Sequence, residues 1–585
     1  MNIKRFLIYL VINMTILSLS AGMVSCSLPS GSVPEEGDQG QEEAQAEKGL
    51  EDSTGSESTE ADEAGEEIAE EETPLAIWIE DIIPEDIKDL IRSHIDKYPL
   101  LEYAGQRQDS DLVLEMQPAG GIDQAGGTSR ELDITYVLAL AAPFFTIADG
   151  IGWEDFQAWW AGGDGALADL SGSNPVPVLA VRQKDRGLLE KILGEPGNEN
   201  IIIAGGEASL QGLAGGDISF ALVPFEHIDR QMKVMEISGL SVFDRSLEIS
   251  QYPFAFSVSL KGSAGPVSKA YDALSGISYT NRDVSGMTTM IMTGVTAMVR
   301  GTAQRMENNG ILYPGDKIAD ILRDADITHI SNEVPFVEGC DVLADRFPFF
   351  CSKPEYIELL EYVGTDVVEL TGNHMNDHGH EWFLHTLQMY DEKGWPYFGG
   401  GRDLQASYSP AILESNGNRF AFLGFCWWGP AGNWAAEDSP GSAPPHFEEF
   451  EARIKQLKQE GYIVIFTFQY LESYQYAPVA QQVTDFRRMI DAGADIVSGS
   501  QSHHPQGMEF YEEGFINYGL GNLFFDQMRQ IGTRQELIAR HIFYKGKHIN
   551  TVIITAMLED YSQPRIATPQ ERQEILTEVF NASIR

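Results

Sequence analysis

Leu370-Thr371-Gly372-Asn373-His374-Met375-Asn376-Asp377-His378-Gly379 is the stretch on which the reading of this chain turns. It sets a Gly-Asn-His-x-x-Asp-x-Gly segment directly after an apolar, strand-like run from Thr365 to Leu370. Turns at strand ends are where α/β proteins carry ligands and reacting groups, because the rigid strand fixes the turn. Asn and His side by side offer a neutral oxygen and an imidazole, which suits a borderline metal or a phosphoryl group. Alone, the tripeptide is equally the sequence of a turn held by a hydrogen-bonded Asn. What precedes and follows it decides.

Upstream, Met290 to Thr293 reads as an apolar strand that turns at Gly294-Val295-Thr296, and Ala325-Asp326-Ile327-Thr328-His329-Ile330 leads into Ser331-Asn332-Glu333-Val334-Pro335. Downstream come Gly399-Gly400-Gly401, then the strand Tyr462 to Phe468 followed by Gln469-Tyr470-Leu471-Glu472. Asp491 to Val497 leads into Ser498-Gly499-Ser500-Gln501-Ser502-His503-His504-Pro505, and Ile516 to Phe525 closes the series with Gly519-Leu520-Gly521-Asn522. This ordered series resembles the CapA family, the capsule or poly-γ-glutamate synthesis proteins. The resemblance implies a domain over residues 286–563 with a four-layered α/β/β/α sandwich of metallophosphoesterase type, followed by a C-terminal tail at 564–585.

Carried over position by position, the family's motifs imply Glu333, Asn373, His374 and His503 as metal ligands. They imply His374, His503 and Glu472 as acid, base or assisting groups, with Asp377 orienting His374 and Gln501 in the shell behind. Three positions depart from the pattern. Val295 stands where the family has Asp, Phe468 where it has His, and Gln501 where it has another imidazole. A two-metal centre needs several anionic and imidazole ligands, so this set is undersupplied. One divalent metal (Mn, Zn or Fe) on three protein ligands and an open position remains an expectation, and so does no metal at all. Other residues keep two readings. Glu333 could cap a neighbouring helix, Glu472 could pair with Arg487, and Phe425, Trp427, Trp428 and Trp434 could line a cleft or pack a core. His504 and Asn522 read as structural.

From Leu75 to about Lys261, short apolar runs alternate with amphipathic segments, so residues 75–285 are expected to form an α/β domain. Leu75 to Ile79 and Ile201 to Ala204 read as strands, Glu85 to Tyr98 and Asp185 to Leu193 as helices. Trp153 to Gly163 and Ser219 to Phe225, followed by Gly239-Leu240-Ser241 and the strand Phe254 to Leu260, resemble two-lobed extracytoplasmic solute-binding proteins. An unrelated α/β domain with core tryptophans is the alternative.

Residues 1–26 read as a lipoprotein signal peptide: Lys4-Arg5, an apolar run from Phe6 to Leu19, and Met23-Val24-Ser25-Cys26, with Cys26 the expected lipidation site. Residues 27–74 are rich in Glu, Gly and Ser with Lys48 as the one basic residue, the composition of a disordered acidic linker. An extracytoplasmic, membrane-anchored protein follows as the expectation. The net charge of −48 excludes nucleic acid as a natural partner, since no basic patch is left to neutralise phosphates. The expected partners are instead an anionic or peptide-like envelope polymer, membrane proteins of its synthesis or export, and the membrane itself through the anchor. Cys340 and Cys351 flank a short loop and could be a disulfide or two buried thiols. Three functions stay open: a polymer synthesis, export or turnover protein with a degenerate site, a mononuclear metal-dependent hydrolase, and a ligand-sensing or transport accessory lipoprotein.

Overall fold

The computed structural model describes residues 73–121, 128–163, 165, 167–170, 176–204, 218–342 and 349–585. The signal peptide, Cys26 and nearly all of the acidic linker lie outside the described residues.

In the N-terminal half, a twisted sheet runs in the order Leu101–Tyr103, Leu75–Ile79, Leu112–Pro118, Ala255–Gly262, Ser129–Pro143, Phe220–Pro224, Leu179–Arg182, Ile201–Ala204. The Ser129–Pro143 strand is long enough to serve both ends of it, pairing with Ala255–Gly262 through its first half and with Phe220–Pro224 through its second. Its residues Tyr136 to Ala142 are buried throughout, as expected of a central strand covered on both faces. The helix Trp153–Trp160 turns Phe156, Trp159 and Trp160 into the core, with the Trp159 and Phe220 rings 5.1 Å apart. Its tryptophans are packing residues.

In the C-terminal half two sheets lie face to face. One runs Tyr397–Phe398, Val367–Glu369, Ile327–Asn332, Met287–Thr296, Gln535–Tyr544, Lys547–Glu559, Gln563–Ile566. The other runs Ala411–Ser415, Asn418–Cys426, Ile463–Gln469, Ile496–Ser500, Gly514–Asn517, Met508–Tyr511. Strand alternation builds the layers. Met290 and Met292 point between the sheets to join Phe420, Phe422, Ile463 and Ile465, whereas Ile291 points outward to a cluster with Leu359, Phe383 and Leu387 of the covering helices. On the other sheet Val464, Phe466 and Phe468 point outward onto Phe450, Ile454, Phe486 and Met489 of the helices Phe447–Gln459 and Ala480–Asp491. The result is helices, sheet, sheet, helices.

The expected C-terminal tail is not one. Its first residues complete the strand Gln563–Ile566, and the helix Pro569–Asn581, capped by Thr568 and Glu571, buries Ile575, Leu576, Val579 and Phe580 against the inter-sheet core. The two halves share a core as well. Met287, Ile542, Tyr544 and Ile549 belong to the same apolar cluster as Phe225 and Phe254, and Asn550 donates to the Met232 carbonyl at 2.7 Å. Cys340 and Cys351 form a disulfide. Among the described residues no helix is long and apolar enough to cross a membrane.

Candidate functional site

Parallel strands of both C-terminal sheets finish along one rim, where Thr296, Asn332, Glu369, Cys426, Gln469 and Ser500 end their strands. Ligand sites of open α/β sheets gather at such carboxyl ends. Glu333 follows Asn332 there, its backbone N–H bonded to the Thr296 carbonyl at 2.9 Å. Gly372 lets the next turn come close: a Cβ on it would lie 2.8 Å from the backbone of Glu333. Its carbonyl is held by Asn433 at 2.9 Å and Ser442 at 2.8 Å, so the turn that carries Asn373 and His374 is tied down at its root.

His374 Nδ1 is 2.7 Å from Asp377 Oδ2, and the same oxygen accepts the Phe350 N–H at 2.7 Å. The carboxylate accepts only, so Nδ1 carries the proton and Nε2 is left for the rim. Burial alone would lower the pKa of His374, but Asp377, Glu333 and Glu472 outweigh it and the pKa is raised. His503 is built differently. Its Nδ1 is 2.8 Å from Asn522 Oδ1, and the Asn522 amide nitrogen is oriented by the Thr533 carbonyl at 3.1 Å. Its Nε2 lies 3.8 Å from Glu472 Oε1, and its ring stacks on Tyr474 at 5.5 Å. The His503 hydrogen bond lowers the Glu472 pKa against the opposing effect of burial. Gln501 and His503 both hold positive φ, 74° and 53°, in one short turn. For side-chain-bearing residues this costs roughly 1 kcal/mol each, and such strain gathers where side chains must be aimed.

Between these histidines lies a polar knot. The Gln469 amide nitrogen is 2.9 Å from Glu333 Oε1, 3.0 Å from Asn373 Oδ1 and 2.6 Å from Gln501 Oε1. Gln501 in turn donates to Asn373 Oδ1 at 3.3 Å. The Gln469 oxygen points away, 3.6 Å from the sulfur of Cys426, a thiol whose pKa burial pushes up to about 12. Glu333 as a carboxylate only accepts, so the Gln469 atom facing it is the amide nitrogen.

Of the expected site residues, Glu333, Asn373 and Gln501 are thus brought into direct contact through Gln469. His374 and Asp377 form one pair, and His503 and Glu472 another. Gln501 is a member of the knot itself rather than a residue behind it. Phe468 is not at a ligand position. It is packed outward against Phe486 at 4.3 Å, and strand alternation hands the rim to Gln469, one residue on. The signal was present in the sequence as the alternation of Ile463, Ile465 and Thr467 with Val464, Phe466 and Phe468. Val295 sits in an apolar cluster with Val334, Phe350 and Phe525. Arg487 pairs with Glu509, not with Glu472. Of the aromatic run, Phe425 is core and Trp428 is exposed at the rim. His504 is buried, and burial lowers its pKa.

Among the described residues no group of three or more His, Cys, Asp and Glu side chains converges as a cation site. At the point where oxygens do converge, the group facing them is an amide N–H donor, which repels a cation. The residues as arranged do not fit a metal there.

Residues 289–527 match the family model described as the bacterial capsule synthesis protein PGA_cap, a metallophosphoesterase-like domain. The capsule biosynthesis protein CapA of Bacillus anthracis is 27% identical over 283 residues, covering 47% of this chain and 69% of that one. The PGA biosynthesis protein CapA of Bacillus subtilis is 30% identical over 185 residues, covering 32% of this chain and 49% of its own length. A solved 5'-nucleotidase precursor from Thermus thermophilus superposes on 50% of this chain and 58% of its own, at 12% identity and a TM-score of 0.30. A phosphate transport receptor from Vibrio cholerae superposes on 34% of this chain and 93% of its own, at 9% identity and a TM-score of 0.28; neither likeness carries an argument. The family model falls on the C-terminal half: over residues 289–527 this chain is similar to the CapA family of capsule synthesis proteins.

Proposed function

We infer that the protein is an accessory of capsule or poly-γ-glutamate-type polymer synthesis, export or turnover at the cell envelope. The match over residues 289–527 is the observation that carries this reading. The polymer class is anionic or peptide-like, and the rim around His374, Glu333 and His503 is where a segment of it docks. His374, with its raised pKa, supplies a positive charge for a carboxylate. The knot of Gln469, Asn373 and Gln501 supplies amide groups that match a peptide-like backbone. The N-terminal half, of solute-binding type, senses or hands on a small ligand, and lipidation at Cys26 tethers the protein outside the cytoplasm beside the membrane proteins it serves.

Deleting the gene and quantifying surface polymer tests this. Loss or mislocation of polymer, restored by the wild-type gene and not by His374→Ala, supports it. An unchanged envelope polymer in the deletion strain contradicts it.

A second reading, an acid–base hydrolase, draws on one observation: Asp377 pins His374 Nδ1, so that Nε2 takes a proton as a base and gives it back from the imidazolium. The same strains separate the two readings. A hydrolase predicts longer polymer chains in His374→Ala cells, and a binding role predicts less polymer of ordinary length.

A further inference from the structure

Three oxygens from three separate strand ends meet at one point on the rim. Glu333 Oε1 comes after the strand Ile327–Asn332, Asn373 Oδ1 after Val367–Glu369, and Gln501 Oε1 after Ile496–Ser500. All three lie within 3.0 Å of the Gln469 amide nitrogen. An amide group has two hydrogens, so three acceptors crowd a donor that can serve two of them fully. Glu333, Gln469 and Gln501 are 2 to 3% exposed, so water does not dissolve the arrangement. One carboxylate and two amide oxygens converging on a point is a hard-cation donor set, the kind that suits magnesium, calcium or manganese. What stands at the point is a neutral side chain anchored from the other side of the rim.

We propose that Gln469 is a built-in substitute for a cation: its amide N–H group holds Glu333, Asn373 and Gln501 in the geometry an ion would impose, keeps divalent metal out, and yields the position to metal when it is replaced by a carboxylate. Gln469 is a positioning residue. Its removal frees Glu333 from the other two loops, which keep only the 3.3 Å bond from Gln501 to Asn373 Oδ1 between them. Gln469→Glu removes the donor, supplies a fourth oxygen and places two carboxylates together, a repulsive pair without an ion and a chelating pair with one. The inference rests on this geometry and not on the identity of any polymer, so it stands or falls separately from the envelope role.

The test uses the full-length wild type, Gln469→Glu, Gln469→His and the double variant Glu333→Gln/Gln469→Glu, each treated with chelator and then titrated with Mn2+. Thermal unfolding and titration calorimetry are read together, with circular dichroism as the check of fold. The wild type is expected to show no stoichiometric Mn2+ binding and no shift in melting temperature. Gln469→Glu is expected to melt lower than the wild type in chelator and to recover by several degrees in Mn2+ with saturable binding, and the double variant to lose that response. If Gln469→Glu does not fold without metal, folding only in Mn2+ is the same result, and Gln469→His, with an imidazole in place of the donor, is judged by the same criterion. Stoichiometric Mn2+ binding by the wild type would overturn the proposal, and so would folded variants at Gln469 that are indifferent to Mn2+.

Discussion

At the scale of the residue, the His374–Asp377 pair carries a specific pH signature. The pKa of His374 is raised above 6.5 in the folded protein. Its stabilising contribution is therefore fully present below that unfolded value and is lost as pH rises through the folded one. Asp377→Ala removes the Nδ1 partner and the acceptor of the Phe350 N–H together. A loss of roughly 1–3 kcal/mol in urea unfolding is expected at pH 6, shrinking at pH 8, with the His374 imidazole resonances titrating at lower pH than in the wild type. Equal losses at both pH values would mean that the pair is held by geometry and not by charge. The sequence made this pair readable, because Asn373, His374 and Asp377 lie in one turn with spacing that brings the last back to the second. Gln469 was readable only through the alternation of its strand, not through the motif. Its role depends on which face of a seven-residue strand looks at the rim, and an alignment by motif assigned that face to Phe468. A slip of one residue exchanges the two faces.

At the scale of the element, close approach decides what the rim tolerates. A methyl group on Gly372 would fall 2.8 Å from the Glu333 Cα and carbonyl oxygen, which are backbone and cannot swing aside. Gly372→Ala should cost roughly 1–3 kcal/mol and move Asn373 away from Gln469, seen as altered amide resonances at both sites. Wild-type stability in that variant would mean that the turn has room to shift away from Glu333. The helix Pro569–Asn581 gives a complementary case. Phe580 plugs the inter-sheet core beside Phe144 and Phe145, so Phe580→Ala should lower stability by roughly 3 kcal/mol. Loss of that size would show in denaturant titration as a shifted midpoint with unchanged slope. Strands and helices with strong period were legible: Leu75–Ile79 and Ile201–Ala204 end where their apolar runs end. The last helix was read as a tail because its apolar residues follow a family boundary and not a break in pattern. Its capping box, Thr568 with Glu571, was the available signal.

At the scale of the whole molecule, ionisable groups buried within the C-terminal half set opposing pH dependences. Burial lowers the pKa of His548 from 6.5 to about 3 and lowers His541 well below its ordinary value. Their contribution is present above about pH 6.5 and is lost as pH falls below it, because the unfolded chain takes up protons that the folded one refuses. Glu536 runs the other way. Burial raises its pKa well above 4.5, so its contribution is present below that value and declines as pH rises. Glu536→Gln should therefore stabilise the protein at pH 8 and do so less at pH 5, measured as the difference in melting temperature between the two conditions. No sequence pattern foretells this, since burial of a single carboxylate depends on what distant segments of the chain pack over its strand. The shared core of the two halves was equally hidden: its residues Met287, Ile542 and Tyr544 lie far along the chain from Phe225.

The proposed envelope role and the proposed rim site meet in one measurement, titration calorimetry of γ-linked glutamate oligomers into the purified protein in chelator, at pH 6 and pH 8, with His374→Ala alongside. Saturable binding without metal, weaker at pH 8 as His374 loses its proton and about tenfold weaker in the variant, is the expected result. No binding by the wild type, or binding that neither pH nor the loss of His374 alters, would contradict a rim site that holds an anionic polymer through His374.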